Sequence, residues 1–301
     1  MHAWEQIQIT VEYIEEHIAE EIKINELAKL ASLSPFYYQR LFNRLVKKTV
    51  NEYIKLRRIA QASEALLDKN NRILDIALSF GFKSHETFTR AFKSAYGMTP
   101  ENFRGNPVIL NNFNKPQLLL NYTLVDENMP LIANEMVLEI RRESLNSKQY
   151  FIGMTVEEPI NQIPSGDETG VDELAKLWDD FHSKLSNIPN IKENGDELGV
   201  AYMGTKEGYY RYFAGAQAMS KDVPDEYDLW ELTEGIYIVC MFEAENFEHL
   251  VTDIIYKAQA YLFNTWLPSH KLSTLPFCAE RYKTHSPETI SMEIWLKIKE
   301  L

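Results

Sequence analysis

The chain has 301 residues, 45 % of them hydrophobic, and a formal net charge of −13. This length allows two folded domains, each with a core of its own. The acidic total would exclude most nucleic-acid binders, but the charge is unevenly spread. Residues 27–106 contain 14 Lys and Arg against 6 Asp and Glu, whereas residues 107–301 contain 16 against 31. The first segment is therefore suited to phosphate contact, and DNA would repel the second.

Cysteine and apolar content exclude a disulfide-stabilised protein and a protein that spans a membrane. Two cysteines, Cys240 and Cys278, do not form a disulfide framework. The apolar runs, such as Ile236–Phe242, have the length of a strand and are too short to span a bilayer. Met1–Thr10 lacks the features of a signal peptide. We expect a cytoplasmic protein with no membrane partner.

Residues 74–104 have the pattern of a helix, a tight turn and a second helix. Gly81 suits the turn because glycine takes left-handed backbone angles without a steric penalty, and Ser84 is a natural N-cap. Apolar residues at i, i+3, i+4 and i+7 predict a buried face: Phe88, Ala91, Phe92 and Ala95. A polar face lies opposite, and it suits either the major groove of DNA or ordinary solvent exposure: Glu86, Thr89, Arg90 and Lys93.

A similar pattern occurs 50 residues earlier in the chain, where Arg40-Leu-Phe42 matches Arg90-Ala-Phe92. Ser34-Pro35 opens a helix there, with serine as the N-cap and proline at the first helical position. Between the two copies, Val50–Leu67 predicts one long helix. Such a connector suits two recognition helices that must reach successive major grooves, about 34 Å apart.

These residues resemble the AraC/XylS family of DNA-binding domains over roughly residues 5–105. The resemblance implies an all-α domain with two helix-turn-helix motifs, joined by a long helix, that dock on double-stranded DNA. It also implies a transcription regulator, with RNA polymerase as a further candidate partner. It rests on an ordered series of motifs: Leu27-Ala28, Arg40-x-Phe42, Tyr53, Arg57, Ala62, Leu66-Leu67, Ile76-Ala77, Gly81-Phe82, Phe88, Arg90-x-Phe92, Gly97, Thr99-Pro100 and Arg104.

By position, the resemblance places DNA contacts on both predicted recognition helices. Arginine can pair with guanine and glutamine with adenine, while glutamate can accept a hydrogen bond from cytosine. For Phe36 the alternative is partial packing, and for Thr87 it is helix capping or a phosphate contact. The candidate DNA-binding residues are Phe36, Gln39, Arg40, Asn43, His85, Glu86, Thr87, Thr89, Arg90 and Lys93.

The remaining chain predicts a linker and a second domain. Residues 107–133 are rich in Asn and Pro and are predicted to be a linker that packs loosely on one domain. The predicted domains are therefore residues 1–106 and residues 134–301. In the second, helices predicted over Asp172–Leu185 and Glu248–Thr265 alternate with strands such as Ile236–Phe242, which indicates an α+β fold.

This second half resembles the GyrI-like effector-binding domain, which occurs in multidrug-sensing regulators. One departure is Ser269-His270-Lys271, where the family often has Ser-Gly-Tyr. The motifs that carry the resemblance are Leu177-Trp178-x-x-Phe181, Tyr212-x-x-Gly215, Gly235-x-Tyr237, Trp266-Leu267-Pro268, Glu280-x-Tyr282 and Glu293-Ile294.

The resemblance implies an aromatic-walled pocket around one buried carboxylate, which falls on Glu280. A carboxylate in an apolar cup favours a cationic or amphipathic ligand, since a cation neutralises it and aromatic faces attract that cation. For Glu280 the alternative is an ion pair with Arg281 or a nearby lysine, and for each aromatic residue it is core packing. The candidate walls are Trp178, Phe181, Tyr212, Trp230, Tyr237 and Tyr282.

Three functions stay open at this point. The first is a DNA-binding transcription regulator that responds to a small molecule. The second is a GyrI-like hydrolase attached to a DNA-binding domain, with Glu280 and a tyrosine as acid and base. The third is a constitutive regulator whose second domain contacts a protein partner. We find no metal-binding, serine-nucleophile or phosphate-loop motif, so we expect no metal or cofactor and favour the first function over an enzyme.

Overall fold

A computed structural model of the chain describes residues 3–133, 136–160, 166, 169–283 and 290–299. The chain divides into two compact units, Met1–Tyr122 with Ser165–Asp172, and Thr123–Pro164 with Glu173–Leu301. Within the described residues, no helix combines the length and the apolar character that a membrane crossing requires.

The first unit is predominantly helical. A short strand, β1 (Leu110–Asn111), pairs antiparallel with β5 (Gly170–Val171). The helices of its described residues are α1 (Ala3–Glu16), α2 (Ile24–Leu30), α3 (Pro35–Val46), α4 (Val50–Ala65), α5 (Ile73–Ser79), α6 (His85–Tyr96), α7 (Pro100–Gly105) and α8 (Leu118–Tyr122).

Local sequence signals set the ends of these helices. The Ser34 hydroxyl caps α3, and Pro35 occupies its first turn, as predicted. Ser84 and Thr87 form a capping box at the start of α6. Gly81 has a φ of +73°, which confirms the left-handed turn expected between α5 and α6.

Each of the two helix pairs packs on its own core. Helices α2 and α3 pack with α1 and the start of α4 around Ile7, Tyr38 and Phe42. Helices α5 and α6 pack with the end of α4 and with α7 around Phe88 and Phe92. The predicted inward faces are therefore buried, and the opposite faces of α3 and α6 are left for other contacts.

The segment predicted as a linker contributes to the first of these cores. Phe113 is 3 % exposed and Leu118 is 1 % exposed. Arg57 donates to the Phe113 carbonyl oxygen at 2.7 Å and forms an ion pair with Glu15, while the Gln8 side-chain oxygen accepts from the Leu118 amide at 3.0 Å. The packing is closer than the loose association that the Asn- and Pro-rich composition indicates, because this segment buries two large apolar side chains.

The second unit is α+β, as predicted. Its described residues form a nine-stranded antiparallel sheet in the order β2-β3-β9-β11-β10-β6-β7-β4-β8. The strands are β2 (Leu131–Ala133), β3 (Met136–Leu145), β4 (Gln149–Pro159), β6 (Glu197–Met203), β7 (Tyr209–Ala218), β8 (Asp228–Leu232), β9 (Gly235–Ala244), β10 (Phe277–Tyr282) and β11 (Ile290–Lys297). One helix is α9 (Glu173–Lys184), and a 3₁₀ turn (Leu185–Asn187) follows it. The other helices form one continuous helical run, which consists of α10 (Phe247–His249), a π segment (Leu250–Ile254), α11 (Ile255–Tyr261), a second π segment (Leu262–Trp266) and α12 (Leu267–Ser269).

The sheet is built from two similar halves. Each half has the order strand, helix, strand, strand. The first half is β4–α9–β6–β7, and the second is β9, the helical run, β10 and β11. The halves are joined where β6 pairs with β10. Glu280 lies on β10 at this central join, directly opposite Gly199 on β6.

A buried ion cluster surrounds Glu293 on β11, on the sheet face opposite to Glu280. The Glu293 side chain is 2 % exposed and accepts hydrogen bonds from Arg141 at 2.8 Å, Lys283 at 2.6 Å and the Trp295 indole at 2.9 Å. Burial raises the pKa of Glu293, but these hydrogen bonds outweigh burial and hold the pKa below its ordinary value. Glu293 is therefore a charged group of the folded core.

Candidate functional site

The outer faces of α3 and α6 are exposed, as a DNA-contacting surface requires. Phe36 is 67 % exposed at the start of α3. Six of the polar candidates are exposed as well: Gln39, Arg40, Asn43, Glu86, Arg90 and Lys93. Their charges and amide groups face away from the two cores, so base edges and phosphates could approach them.

Three of the candidates make hydrogen bonds within the first unit, and a fourth has a buried hydroxyl. The Gln39 side-chain amide donates to the Pro35 carbonyl oxygen at 3.2 Å, and His85 Nε2 lies 2.8 Å from a Glu101 carboxylate oxygen. Thr87 belongs to the capping box, the alternative considered for it. The Thr89 hydroxyl is buried without a hydrogen-bond partner in the described part of the chain. Gln39, His85 and Thr87 would have to release or share these contacts in order to reach DNA, and the Thr89 hydroxyl would have to become accessible.

Arg58 on α4 ties the two helix pairs together. Its guanidinium donates to the carbonyl oxygens of Ile18 at 2.8 Å, Glu20 at 2.6 Å and Gly81 at 3.1 Å. The first two carbonyls follow α1, and the third belongs to the turn before α6. Sequence analysis did not single out Arg58, because its partners are backbone atoms distant in the sequence.

A buried carboxylate lies at the centre of the second unit. Glu280 is 6 % exposed. Its Oε2 accepts from the Tyr212 hydroxyl at 2.6 Å and from the Tyr282 hydroxyl at 3.3 Å, and its Oε1 accepts from the Gln259 amide at 2.9 Å. These three donors are neutral, so they orient the carboxylate and supply no positive charge.

Aromatic rings continue outward from this carboxylate. The Trp178 indole of α9 donates to the Tyr212 hydroxyl at 3.4 Å. Its ring also packs edge-on against Tyr282, with centroids 5.3 Å apart and an interplanar angle of 72°. Trp178 and Tyr282 are only partly buried. They therefore offer ring surface beside the carboxylate, which is the arrangement that attracts organic cations.

The tyrosines at the site are held in their protonated form. Burial raises the pKa of Tyr212 well above its ordinary value, and the negative charge of Glu280 raises it further. The same two causes, in the same order, raise the pKa of Tyr282. Both hydroxyls therefore remain hydrogen-bond donors to Glu280 at neutral pH.

Gly199 makes room for the hydrogen bond between Tyr212 and Glu280. A Cβ atom at this position would lie 2.1 Å from the Tyr212 hydroxyl oxygen and 3.0 Å from Glu280 Oε2. Glycine in a strand marks the close approach of another group. Gly199 and Gln259 belong to the site, and sequence analysis named neither.

The structure does not bring every candidate wall to Glu280. Phe181 is fully buried and packs in the core between α9 and the sheet. Trp230 and Tyr237 lie on the opposite sheet face, in the cluster around Phe213 and Trp295. Strand register decides the placement of Trp230 and Tyr237, because alternate residues of a strand point to opposite faces.

Arg281, the alternative ion-pair partner of Glu280, pairs with another residue. The Arg281 guanidinium forms an ion pair with Asp196 at 2.6 Å and lies over the Trp295 ring. As the neighbour of Glu280 on one strand, Arg281 points to the opposite face of the sheet. It is therefore part of the core around Trp295.

Comparison with known proteins matches both halves of the chain. The family model described as a helix-turn-helix domain matches residues 27–106, and the model described as a GyrI-like small molecule binding domain matches residues 149–299. The chain is 37 % identical over 98 residues to the regulatory protein SoxS of Salmonella typhimurium, a match that covers 33 % of this chain and 92 % of SoxS.

The chain belongs to the AraC-type regulators and carries a GyrI-like small-molecule-binding domain.

Further relatives of this AraC-type regulator match parts of it. It is 43 % identical over 98 residues to the HTH-type transcriptional regulator YbfP of Bacillus subtilis, a match that covers 33 % of this chain and about a third (33 %) of YbfP. The solved structure of SAV2435 bound to tetraphenylphosphonium covers 54 % of the regulator and 94 % of that chain, with 14 % identity and a TM-score of 0.42.

Proposed function

We propose that this regulator reads specific DNA with two helix-turn-helix motifs, formed by α2–α3 and α5–α6. The exposed side chains of Arg40 on α3 and Arg90 on α6 support this, since arginine can pair bidentately with guanine. The excess of basic residues in 27–106 supports phosphate contact. Arg58 would keep the two motifs at a constant separation, and RNA polymerase would be the partner through which the regulator acts on transcription.

We propose further that the effector is a cationic or amphipathic small molecule that binds at Glu280, which would make the protein a multidrug-type sensor. The observation that carries this proposal is the buried carboxylate, held by Tyr212 and Gln259 beside the rings of Trp178 and Tyr282. A positive group placed there would gain a strong electrostatic attraction, because the surroundings are poorly solvated. The aromatic faces would add cation–π attraction.

The direction in which the pKa of Tyr212 is shifted supports binding over the hydrolase alternative. General acid–base catalysis is most effective when the pKa of the catalytic group lies near the operating pH. Burial and the charge of Glu280 move the pKa of Tyr212 in the other direction, well above its ordinary value. Tyr212 is thus suited to hold Glu280 in place rather than to accept a proton.

Glu280→Gln tests the effector proposal. Glutamine keeps the shape of the side chain and removes its charge. Its amide nitrogen also replaces one of the two oxygens that accept hydrogen bonds, and a neutral dye controls for that local change. Removing one partner of a buried charge pair costs about 3–5 kcal/mol, which is a hundredfold or more in affinity. Calorimetric titration of the full-length protein with a cationic and a neutral dye of similar shape should therefore show a large loss for the cationic dye alone.

A matched control is Glu245→Gln, which neutralises an exposed carboxylate of the same unit. It should leave the affinity for both dyes unchanged. Equal losses for the two dyes in Glu280→Gln, or no loss for either, would mean that Glu280 has a structural role only.

A further inference from the structure

A short strand from within the sequence of the second unit belongs to the first unit. Strand β5 (Gly170–Val171) follows β4 and precedes α9 in the chain, and both of these neighbours lie in the second unit. β5 itself pairs antiparallel with β1, with Val171 opposite Leu110 and Gly170 opposite Asn111. The chain therefore leaves the second unit after β4, joins the first unit at β5 and returns to the second unit at α9.

Backbone hydrogen bonds hold this crossing on both sides of β5. Directly after β5, the Asp172 amide donates to the Ile109 carbonyl oxygen at 2.9 Å. Before β5, the carbonyl oxygen of the buried Gly166 accepts from the Asn114 amide at 2.7 Å. Backbone polar groups that lack a partner away from water are costly, so these hydrogen bonds stabilise the position of the segment on the first unit.

The β1–β5 pair is anchored to α6, the second of the proposed recognition helices. Leu110 of β1 is 8 % exposed and packs in the core that contains Phe88 and Phe92 of α6. The Tyr96 hydroxyl, at the end of α6, donates to the Asn112 side-chain oxygen at 2.5 Å, and β5 lies beside the same helix. Because protein cores are close-packed and transmit strain, a displacement of β5 would act on β1 and α6.

The same strand is joined to the proposed effector site by α9. Only Asp172 separates β5 from α9, which begins at Glu173. Trp178 of α9 donates to the Tyr212 hydroxyl and packs against the Tyr282 ring. A helix rises 1.5 Å per residue, so Trp178 is only about 8 Å along α9 from its first residue. A ligand that moves Trp178 would therefore act on β5 through a short helical connection.

We infer that the β1–β5 pair is the link through which the occupied effector site changes the DNA affinity of this regulator. A ligand beside Trp178 shifts α9, α9 shifts β5, and β5 shifts α6 through β1. The inference rests on the proposed function, because it requires a ligand at Glu280 and DNA on α6. The coupling is reciprocal, so DNA on α6 changes the affinity for the ligand by the same factor.

Fluorescence anisotropy measures this coupling in the full-length protein. The DNA is a labelled duplex that the wild-type protein selects from a random pool. The probe is benzyltrimethylammonium, which carries one positive charge and one aromatic ring. A saturating concentration of the probe should change the DNA affinity of the wild-type protein by about 5-fold to 150-fold, the range typical of allosteric coupling. Calorimetry without DNA gives the affinity for the probe itself.

Asp172→Pro breaks the link. Proline has no amide N–H, so it cannot donate to the Ile109 carbonyl oxygen. The substitution should abolish the change in DNA affinity, while calorimetry gives the wild-type affinity for the probe. Glu173→Pro is the matched control, because proline is accommodated at the first position of a helix, and it should keep the wild-type change.

A disulfide across the strand pair should restore the link in Asp172→Pro. Leu110 and Val171 form a non-hydrogen-bonded pair, because the Asp172 amide bonds to Ile109 at the next position and the two kinds of pair alternate along an antiparallel ladder. In such pairs the Cα atoms lie about 4.5 Å apart, which is within the range of a disulfide. Adding Leu110→Cys and Val171→Cys should restore the change in DNA affinity when the thiols are oxidised, and reduction should remove it again.

The outcomes distinguish this inference from the proposed function. If Asp172→Pro keeps the wild-type change in DNA affinity, or if the oxidised disulfide does not restore it, the link is refuted and the effector site stands. A probe that binds to the wild-type protein without changing its DNA affinity refutes the link in the same way. If calorimetry shows that the probe does not bind, or that Glu280→Gln does not weaken its binding, the proposed function fails and the inference fails with it.

Discussion

Gly199→Ala tests whether the hydrogen bond from Tyr212 orients the Glu280 carboxylate. A Cβ atom at Gly199 would lie 2.1 Å from the Tyr212 hydroxyl oxygen, so this oxygen would have to move by about 0.9 Å to reach even 3.0 Å. The hydrogen bond measures 2.6 Å in the native protein and cannot keep that geometry after such a shift. The substitution therefore breaks the contact while both partners remain present.

The expected cost follows from two effects. A hydrogen bond to a charged group contributes about 1.5–3 kcal/mol, and overpacking a core costs about 1–3 kcal/mol. We expect Gly199→Ala to lower the free energy of unfolding by roughly 2–6 kcal/mol, and Tyr212→Phe to lower it by the hydrogen-bond contribution alone. The atom nearest to the added Cβ is the Tyr212 hydroxyl oxygen. Gly199→Ala should therefore lower the free energy of unfolding by less in the Tyr212→Phe background, where this oxygen is missing.

Urea unfolding of the wild type, the two single variants and the double variant measures this coupling. A double-mutant cycle should give a coupling free energy of about 1–3 kcal/mol. Gly170→Ala is a suitable control, because a Cβ atom there would meet no other atom within 4 Å. If the two substitutions are additive within about 0.5 kcal/mol, the Tyr212 hydroxyl is not the group that the alanine displaces, and the explanation is wrong.

Three further predictions concern DNA contact, domain limits and pH. Arg90→Ala should weaken binding to the specific site by about 1–3 kcal/mol and weaken binding to random DNA less. Lys93→Ala should weaken binding to both DNAs and lower by about 1 the slope of the logarithm of the binding constant against the logarithm of the salt concentration. Binding measured over a range of salt concentrations compares the two variants. A fragment of residues 1–122 should be more stable to urea than one of residues 1–106, because the longer fragment keeps two buried apolar side chains in the first core. Because the pKa of Glu293 is lowered in the folded state, its stabilising effect is present above the unfolded pKa and is lost as the pH falls through the folded pKa. The stability difference between wild type and Glu293→Gln should therefore narrow on acidification below pH 4.5, and urea unfolding at several pH values would contradict this if the difference stayed constant.

Local sequence determined much of the first unit. Ser34 and Ser84 cap the helices that they precede, and Gly81 takes the left-handed turn predicted for it. The polar faces of α3 and α6 follow from the same spacing that buries Phe42 and Phe92. These features depend on residues within about one helical turn of each other, so short-range periodicity is sufficient to predict them.

Other features depend on contacts across long stretches of the chain. Phe113 and Leu118 enter the core of the first unit although their segment has the composition of a linker. Arg58 finds its partners in two backbone turns, one of them at Gly81, 23 residues away. Composition cannot reveal such contacts, because it describes each segment without the surface on which it packs.

The ligand site combines features that the sequence determined with features that only the tertiary structure decided. Sequence alternation places Glu280 and Tyr282 on one face of a strand, and the structure agrees. The sequence alone did not determine that Gln259 would complete the site, or that Trp230 would lie on the opposite face. The position of helix α11 decided the first, because it brings the Gln259 amide to Glu280. Strand register decided the second, because a shift of one residue along a strand moves every side chain to the other face of the sheet.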